Sequence, residues 1–447
     1  MDQLDLRDRV TALLPGVLDD LARLVAIPSV SSLPERAGDV ERSAEAVAEL
    51  ARAMGCPDVR VVAAGGKPAV IAKFPAPEGA PTVCLYAHHD VQPTGDVALW
   101  TSDPFTVTER DGRLYGRGVV DDKAGIAVHL AALRAFEGHP PVGVTLFVEG
   151  EEEIGSPSLG ALMAEYADDL TADVYVICDS ANWQVGTPAF TTALRGLADV
   201  VVTVDTLDHA LHSGQYGGVA PDALTTLVRL LATLHDDHGD VAVEGLDSEP
   251  PFALEYPEDR LRAETGLLDG VAFTGTGPLA DRMWGRPSIT VLAIDCTRVA
   301  DASNTLAPSA RAKVSMRLAP SQDADVALEA LKAHLLAHAP DGARVTFGAT
   351  EAAGGSLVPM SGAVASVAQD AYSEAWGVDA VEVGQGGSIP LVGLFQSAFP
   401  GAEVLVTGVV DPDSRMHGID ESFDLGDFTA ACIAEATLLA QLGQLEP

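Results

Sequence analysis

The stretch VTLFVEGEEEIGS, Val144 to Ser156, runs an apolar segment into Glu149, Glu151, Glu152 and Glu153. Two carboxylates about 4 Å apart repel by roughly 4 kcal/mol at an effective dielectric of 20, so this cluster requires open water or a cation. Further metal-capable side chains end or follow other apolar runs: His88, His89 and Asp90 in YAHHDVQP, Asp121 and Asp122 in VVDDKAG, Asp179 in VICDS, and His417 in MHGIDES. His88 and Asp90 stand two apart on a predicted strand, so they point to one side. That spacing lets the carboxylate take the second imidazole proton and hold the ring. His89 points the other way and reads as a packing residue.

Two histidines with several carboxylates suit two divalent cations, zinc first, with manganese or cobalt compatible with an oxygen-rich donor set. Adjacent glutamates alternate in direction, so Glu152 and Glu153 are free to divide the work. One then binds metal and the other takes the proton of a water whose pKa coordination lowers from 15.7 to about 7. Glu151 reads as part of a solvated loop. His334 and His338, four apart on a helix with no accompanying acid, read as a helix face, and His129 in an alanine-rich helix as packing. The sequence has no H-E-x-x-H, G-x-S-x-G, P-loop or G-x-G-x-x-G, which argues against single-zinc peptidase helices, serine hydrolases, NTPases and Rossmann enzymes.

The elements that must carry these groups follow from periodicity. An amphipathic helix is predicted over residues 5–25 and a second over 40–54; after them strand-length apolar runs alternate with helical patterns. PTVCLYAHHD, VTLFVEG, DVYVICDS and AEVLVTG read as strands, and DDKAGIAVHLAALRAF and SPSLGALMAEYADDL as helices. This βαβαβ order predicts a mainly parallel sheet covered on both faces, with ligands bound beyond the carboxyl ends of its strands. From residue 191 the order becomes βαββαβ, a two-layer, ferredoxin-like α+β unit. The expected division is one discontinuous α/β domain, residues 1–190 and 351–447, interrupted by an inserted domain, 191–350. Residues 238–285 read as a long loop inside the insertion.

The balance of 27 basic against 65 acidic residues, a net charge of −38, makes nucleic acid and anionic membranes poor partners. The N-terminus MDQLDLRDRV has no basic start or apolar core, and no apolar run approaches the roughly 18 to 20 residues of a membrane span, so a cytoplasmic location is expected. Five dispersed cysteines read as reduced thiols.

Taken together, YAHHDVQP, YGRGVVDDKAG, EGEEEIGS, ICDS, LHSGQYGG, GGSIP and MHGIDE resemble the M20 family of dinuclear zinc peptidases, in particular its carnosinase-like dipeptidases. The match covers both domains in the family's order. The resemblance implies two Zn2+ per subunit, with Mn2+ or Co2+ as substitutes. His88 and Asp179 would share one ion, Glu153 and His417 the other, and Asp121 would bridge them. It implies Glu152 as general base and Asp90 as the carboxylate behind His88, with the peptide after Asp121 cis. His212 would stabilise the oxyanion across a homodimer, and Asn304, Arg317, Gly387 and Ser388 would hold the substrate's carboxylate end. The inserted domain would serve as lid and dimerisation platform. Asp420 departs from the family's usual asparagine. The expected activity is hydrolysis of a dipeptide or similarly small substrate by a water activated between two metals. The alternatives are an N-acyl- or N-carbamoyl-amino-acid amidohydrolase of the same family and, in a different class, a catalytically silent metal-binding protein.

Overall fold

The computed structural model describes residues 3–387 and 390–445. The chain divides into two compact units, one of Met1–Thr192, Val358–Val383 and Leu394–Pro447, the other of Ala193–Leu357 and Gly384–Gly393.

In the first unit a six-stranded sheet runs in the order Asp58–Val62, Ala69–Phe74, Gly143–Glu149, Thr82–His88, Val174–Ile177, Glu403–Val406. The last four strands are mutually parallel and the first two antiparallel. Every residue of Gly143–Glu149 and Val174–Ile177 is buried, as a sheet covered on both faces requires. Register sets His88 opposite Glu149 and Tyr86 opposite Ile177, so the parallel strands end along one edge. The helix Lys123–Ala135 packs on the Thr82–His88 strand between the helices Gln3–Val25 and Leu425–Leu442. Asp122 caps it by accepting the Gly125 N–H at 3.2 Å.

The 18-residue helix Leu425–Leu442 has the length and, at a mean hydropathy of 1.2, the apolarity of a membrane span, which corrects the expectation that no such run exists. Of that helix 72% is buried, its surface packed against the helices Gln3–Val25, Lys123–Ala135 and Ala363–Trp376.

The second unit carries a four-stranded antiparallel sheet in the order Ser288–Asp295, Ser309–Leu318, Gly196–Asp205, Arg344–Ala353. The helices Ala223–Ala232 and Ala324–Ala337 pack on it, giving the βαββαβ order. Ala310, Ala312, Val314, Met316 and Leu318 alternate inward against Leu227, Leu230, Leu331 and Leu335. Asp222 and Asp323 cap the helices through the N–H groups of Thr225 and Val326. Two local expectations change. Residues 238–285 include a helix, Glu258–Thr265, and SPSLGALMAEYADDL breaks into Leu159–Glu165 and Ala167–Leu170.

Candidate metal centre

At the carboxyl edge of the first unit's sheet, His88 closes its strand fully buried. Its Nε2 lies 3.1 Å from Asp121 Oδ1 and 3.9 Å from both Asp179 Oδ2 and Glu152 Oε2. His417 Nε2 lies 2.8 Å from Asp121 Oδ2 and 3.2 Å from Glu153 Oε2. Asp121 therefore turns one oxygen toward each imidazole. Its Oδ2 is buried and makes no hydrogen bond in spite of the close approach of His417. The two atoms are close without being hydrogen-bonded, and with Glu153 they form a cluster whose imidazole and carboxylate donors fit a divalent cation.

Asp122 reaches the same neighbourhood as His88 and Asp179. Its Oδ2 accepts the His88 N–H at 3.2 Å and its Oδ1 the Gly125 N–H at 3.2 Å, so the backbone already holds both oxygens and Asp121 is the better donor. The Asp121–Asp122 peptide is cis. The loop bearing His417 places that residue at φ 61°, in the left-handed region.

Asp90 does more than stand behind His88. The His88 Nδ1 lies 3.0 Å from the Asp90 carbonyl oxygen and 3.4 Å from the Asp90 carboxylate. The carboxylate also accepts the N–H groups of Glu152 and Glu153, each at 3.2 Å. It thus fixes the turn that presents both glutamates. Gln92, which sequence reasoning left unassigned inside YAHHDVQP, donates to Glu153 Oε2 at 2.8 Å and orients it.

Glu151 corrects the solvated-loop reading. It is 4% exposed and accepts the Lys67 N–H at 2.9 Å, the Ser158 N–H at 2.7 Å and the Ser158 hydroxyl. A buried carboxylate needs such donors, and here they tie the glutamate turn to two flanking loops. Glu149 is likewise buried and accepts from the Tyr86 and Ser156 hydroxyls, each at 2.7 Å. His89 is buried against the Pro68 carbonyl at 2.9 Å. His129 is buried between the Glu435 carboxylate at 2.8 Å and the Tyr86 carbonyl at 2.9 Å. His334 stacks on His338 with ring centroids 4.0 Å apart and hydrogen-bonds the Thr233 carbonyl.

The charges respond to this crowding. Burial pushes the Glu152 carboxyl up to about 7; Glu153, Asp121 and Asp90 add to the rise, and His88 opposes it. Burial and the neighbouring Asp122 push Asp179 well above the usual carboxylate range. Burial alone would raise Asp121 as well, yet His417 and His88 hold it well below that range. Asp121 and Glu153 raise His417 to about 10. A cation between these groups would replace protons as the balancing charge.

In the second unit His212 is exposed, and its Nδ1 accepts the Gly214 N–H at 3.1 Å. Neutral His212 therefore carries its proton on Nε2. Leu211–His212 pairs antiparallel with Thr305–Leu306, and the Ser213 N–H donates to the Asn304 carbonyl at 2.9 Å, which brings His212 and Asn304 together. Arg317 is half-buried on its strand, next to the buried Arg195, whose Nη2 lies 3.5 Å from the Arg317 carbonyl. Gly387 is exposed. Ser388 lies outside the described residues. Asp420, the departure from the family pattern, accepts from the Thr101 N–H at 2.9 Å and hydroxyl at 2.6 Å.

A profile of Peptidase family M20/M25/M40 matches residues 84–441. The chain belongs to this peptidase family. Among M20 relatives, the cysteinylglycine-S-conjugate dipeptidase of Corynebacterium striatum is 36% identical over 435 residues, 96% of each chain. The Beta-Ala-His dipeptidase of Rattus norvegicus is 28% identical over 402 residues, 85% of this chain and 80% of that one. The solved structure of the di-peptidase Dug1p from Saccharomyces cerevisiae shares the fold at a TM-score of 0.77 and 24% identity, covering 100% of this chain and 99% of that one.

Proposed function

We propose that this M20 enzyme is a metal-dependent dipeptidase, cleaving the amide bond of dipeptides or similarly small peptides that carry a free carboxylate. The observation that supports it best is Asp121, with its oxygens 3.1 Å from His88 Nε2 and 2.8 Å from His417 Nε2, an arrangement that suits one carboxylate to two cations. We assign His88 and Asp179 to one ion, Glu153 and His417 to the other, and Asp121 to both. Two Zn2+ per subunit suit these donors, and Mn2+ or Co2+ are compatible. The relatives align over most of their length, and their names as dipeptidases support short peptides as substrates of this chain.

When bound, such a pair would supply Lewis acidity to polarise the scissile carbonyl and acidify the attacking water. Glu152 takes the proton of the attacking water and returns it to the leaving amine, a role suited to a carboxyl that burial raises to about 7. Asp90 holds the Glu152 N–H and so the direction of that side chain. His212, its proton on Nε2, reaches across the dimer and donates to the oxyanion developing in the partner subunit's site. The Arg317 guanidinium, with Asn304, Gly387 and Ser388, holds the substrate carboxylate, for which its planar fork is suited. We read the second unit as lid and dimerisation platform of a cytoplasmic homodimer; four of the five cysteines in each chain are buried free thiols, as a reducing compartment permits.

The test is a kcat/KM panel of dipeptides, tripeptides, N-acetyl- and N-carbamoyl-amino acids with metal-stripped protein reloaded with Zn2+, Mn2+ or Co2+. Dipeptides are expected to lead. Faster turnover of an N-acyl or N-carbamoyl substrate would move the enzyme to the amidohydrolase alternative, and a loaded protein that turns over none of them would overturn the catalytic reading.

A further inference from the structure

Arg117 is among the largest fully buried side chains of the chain, at 1% exposure, and its Nη1 pairs with the equally buried Glu421. A sealed ion pair is weak ground for stability, since desolvation offsets its Coulomb gain. Its other contacts point elsewhere. Arg117 Nη2 donates to the carbonyls of Gly418 at 2.9 Å, His417 at 3.1 Å and Pro93 at 3.3 Å. Glu421 accepts the N–H groups of Val120 at 3.1 Å and of Gly118 and Asp121 at 3.2 Å. One partner therefore grips the backbone of His417 and the other the backbone of Asp121, two residues that sequence separates widely.

The His417 loop needs such a grip. Arg415, His417 and Asp420 have φ of 53°, 61° and 58°, a left-handed conformation that side chains other than glycine rarely adopt unsupported. Arg117 is suited to it because its rigid fork of donors satisfies several acceptors at fixed angles, which a lysine ammonium cannot do.

We infer that Arg117 and Glu421 are a positioning pair that sets the separation of Asp121 Oδ2 and His417 Nε2 and so builds the cation position between them. The inference rests on the two-cation reading given above, and its test separates the two. Co2+ is titrated into metal-free wild type, Arg117→Lys, Glu421→Gln and the double variant, followed by visible d–d absorption, chelator competition and melting of the metal-free proteins. Arg117→Lys is expected to fold and keep one Co2+ at wild-type affinity. It should bind the other about 10- to 100-fold more weakly, the range seen for groups that support metal ligands. Glu421→Gln is expected to weaken both ions, because it also releases the Asp121 backbone. The double variant should be no weaker than the worse single one, as members of one unit behave. A wild type that takes up a single Co2+ overturns the two-cation reading and this inference with it. If wild type takes up two and Arg117→Lys binds both unchanged, the positioning role falls and the metal centre stands. Equal weakening of both ions in Arg117→Lys, or loss of the metal-free fold in both single variants, also overturns it by marking general scaffold support.

Discussion

Asp90→Asn separates two accounts of the residue behind His88. In the account drawn from sequence spacing, the Asp90 carboxylate holds the imidazole, and removing its charge loosens the first metal ligand. The structure gives a different weight to its contacts. The closer partner of His88 Nδ1 is the Asp90 carbonyl, at 3.0 Å, which the substitution leaves in place. The carboxylate oxygens each accept one N–H, from Glu152 and from Glu153, at 3.2 Å. Asparagine keeps one acceptor and sets an NH2 group against the other N–H. A buried donor left unpaired costs about 1 to 3 kcal/mol. If that cost falls on the placement of Glu152 in the transition state, kcat drops roughly 5- to 150-fold at about 1.4 kcal/mol per tenfold. Metal content by elemental analysis, kcat with a saturating dipeptide, and the urea midpoint form the assay. The expected result is full metal occupancy with a slowed kcat. An Asp90→Asn protein that loses metal while its remaining loaded fraction turns over at the wild-type rate would refute the argument from the glutamate turn.

Glu152→Gln should retain metal and lower kcat by about 100- to 10,000-fold, the span for a general base, as measured by dipeptide turnover at fixed metal content. For His129, burial alone would lower the imidazole pKa, yet Glu435 at 2.8 Å prevails and raises it above the ordinary 6.5. Its stabilisation is therefore complete below pH about 6.5 and is lost as pH rises through the raised folded value. Wild type should lose urea resistance relative to His129→Gln as pH increases across that range, and a pH-independent difference between the two would count against the pairing. Chelation should lower the melting temperature reversibly, since an ion held at 100 times its Kd contributes about 2.7 kcal/mol; differential scanning calorimetry with and without added Zn2+ measures it.

The four parallel strands were legible as continuous apolar runs because a sheet covered on both faces has no polar alternation to disguise it. The antiparallel strands Asp58–Val62 and Ala69–Phe74 were not, although Gly65, Gly66 and Pro68 mark the turn between them, because Arg60 and Lys73 interrupt their apolar runs. The helix Leu425–Leu442 was underestimated because charge and small residues dilute its hydropathy to 1.2 without interrupting its buried surface.

At the candidate centre, residue type was informative and residue environment was not. Glu151, Glu152 and Glu153 are chemically identical neighbours, yet one binds loop backbone, one stands beside His88 and one beside His417. Strand direction alone could separate adjacent side chains but could not say which donors would meet them. Gln92, Arg117 and Glu421 lie inside the quoted motifs, so their positions were in view, while their partners lie across the chain.

The sequence by itself determined the family, the α/β class with its βαββαβ insertion, and the demand for cations, because local periodicity and the repulsion of crowded carboxylates are properties of short segments. Only the tertiary structure decided that Asp121 turns one oxygen to His88 and the other to His417, and that a sealed Arg117–Glu421 pair spans their backbones. Those are distances between segments remote in sequence, fixed by how strands, helices and the loops between them pack.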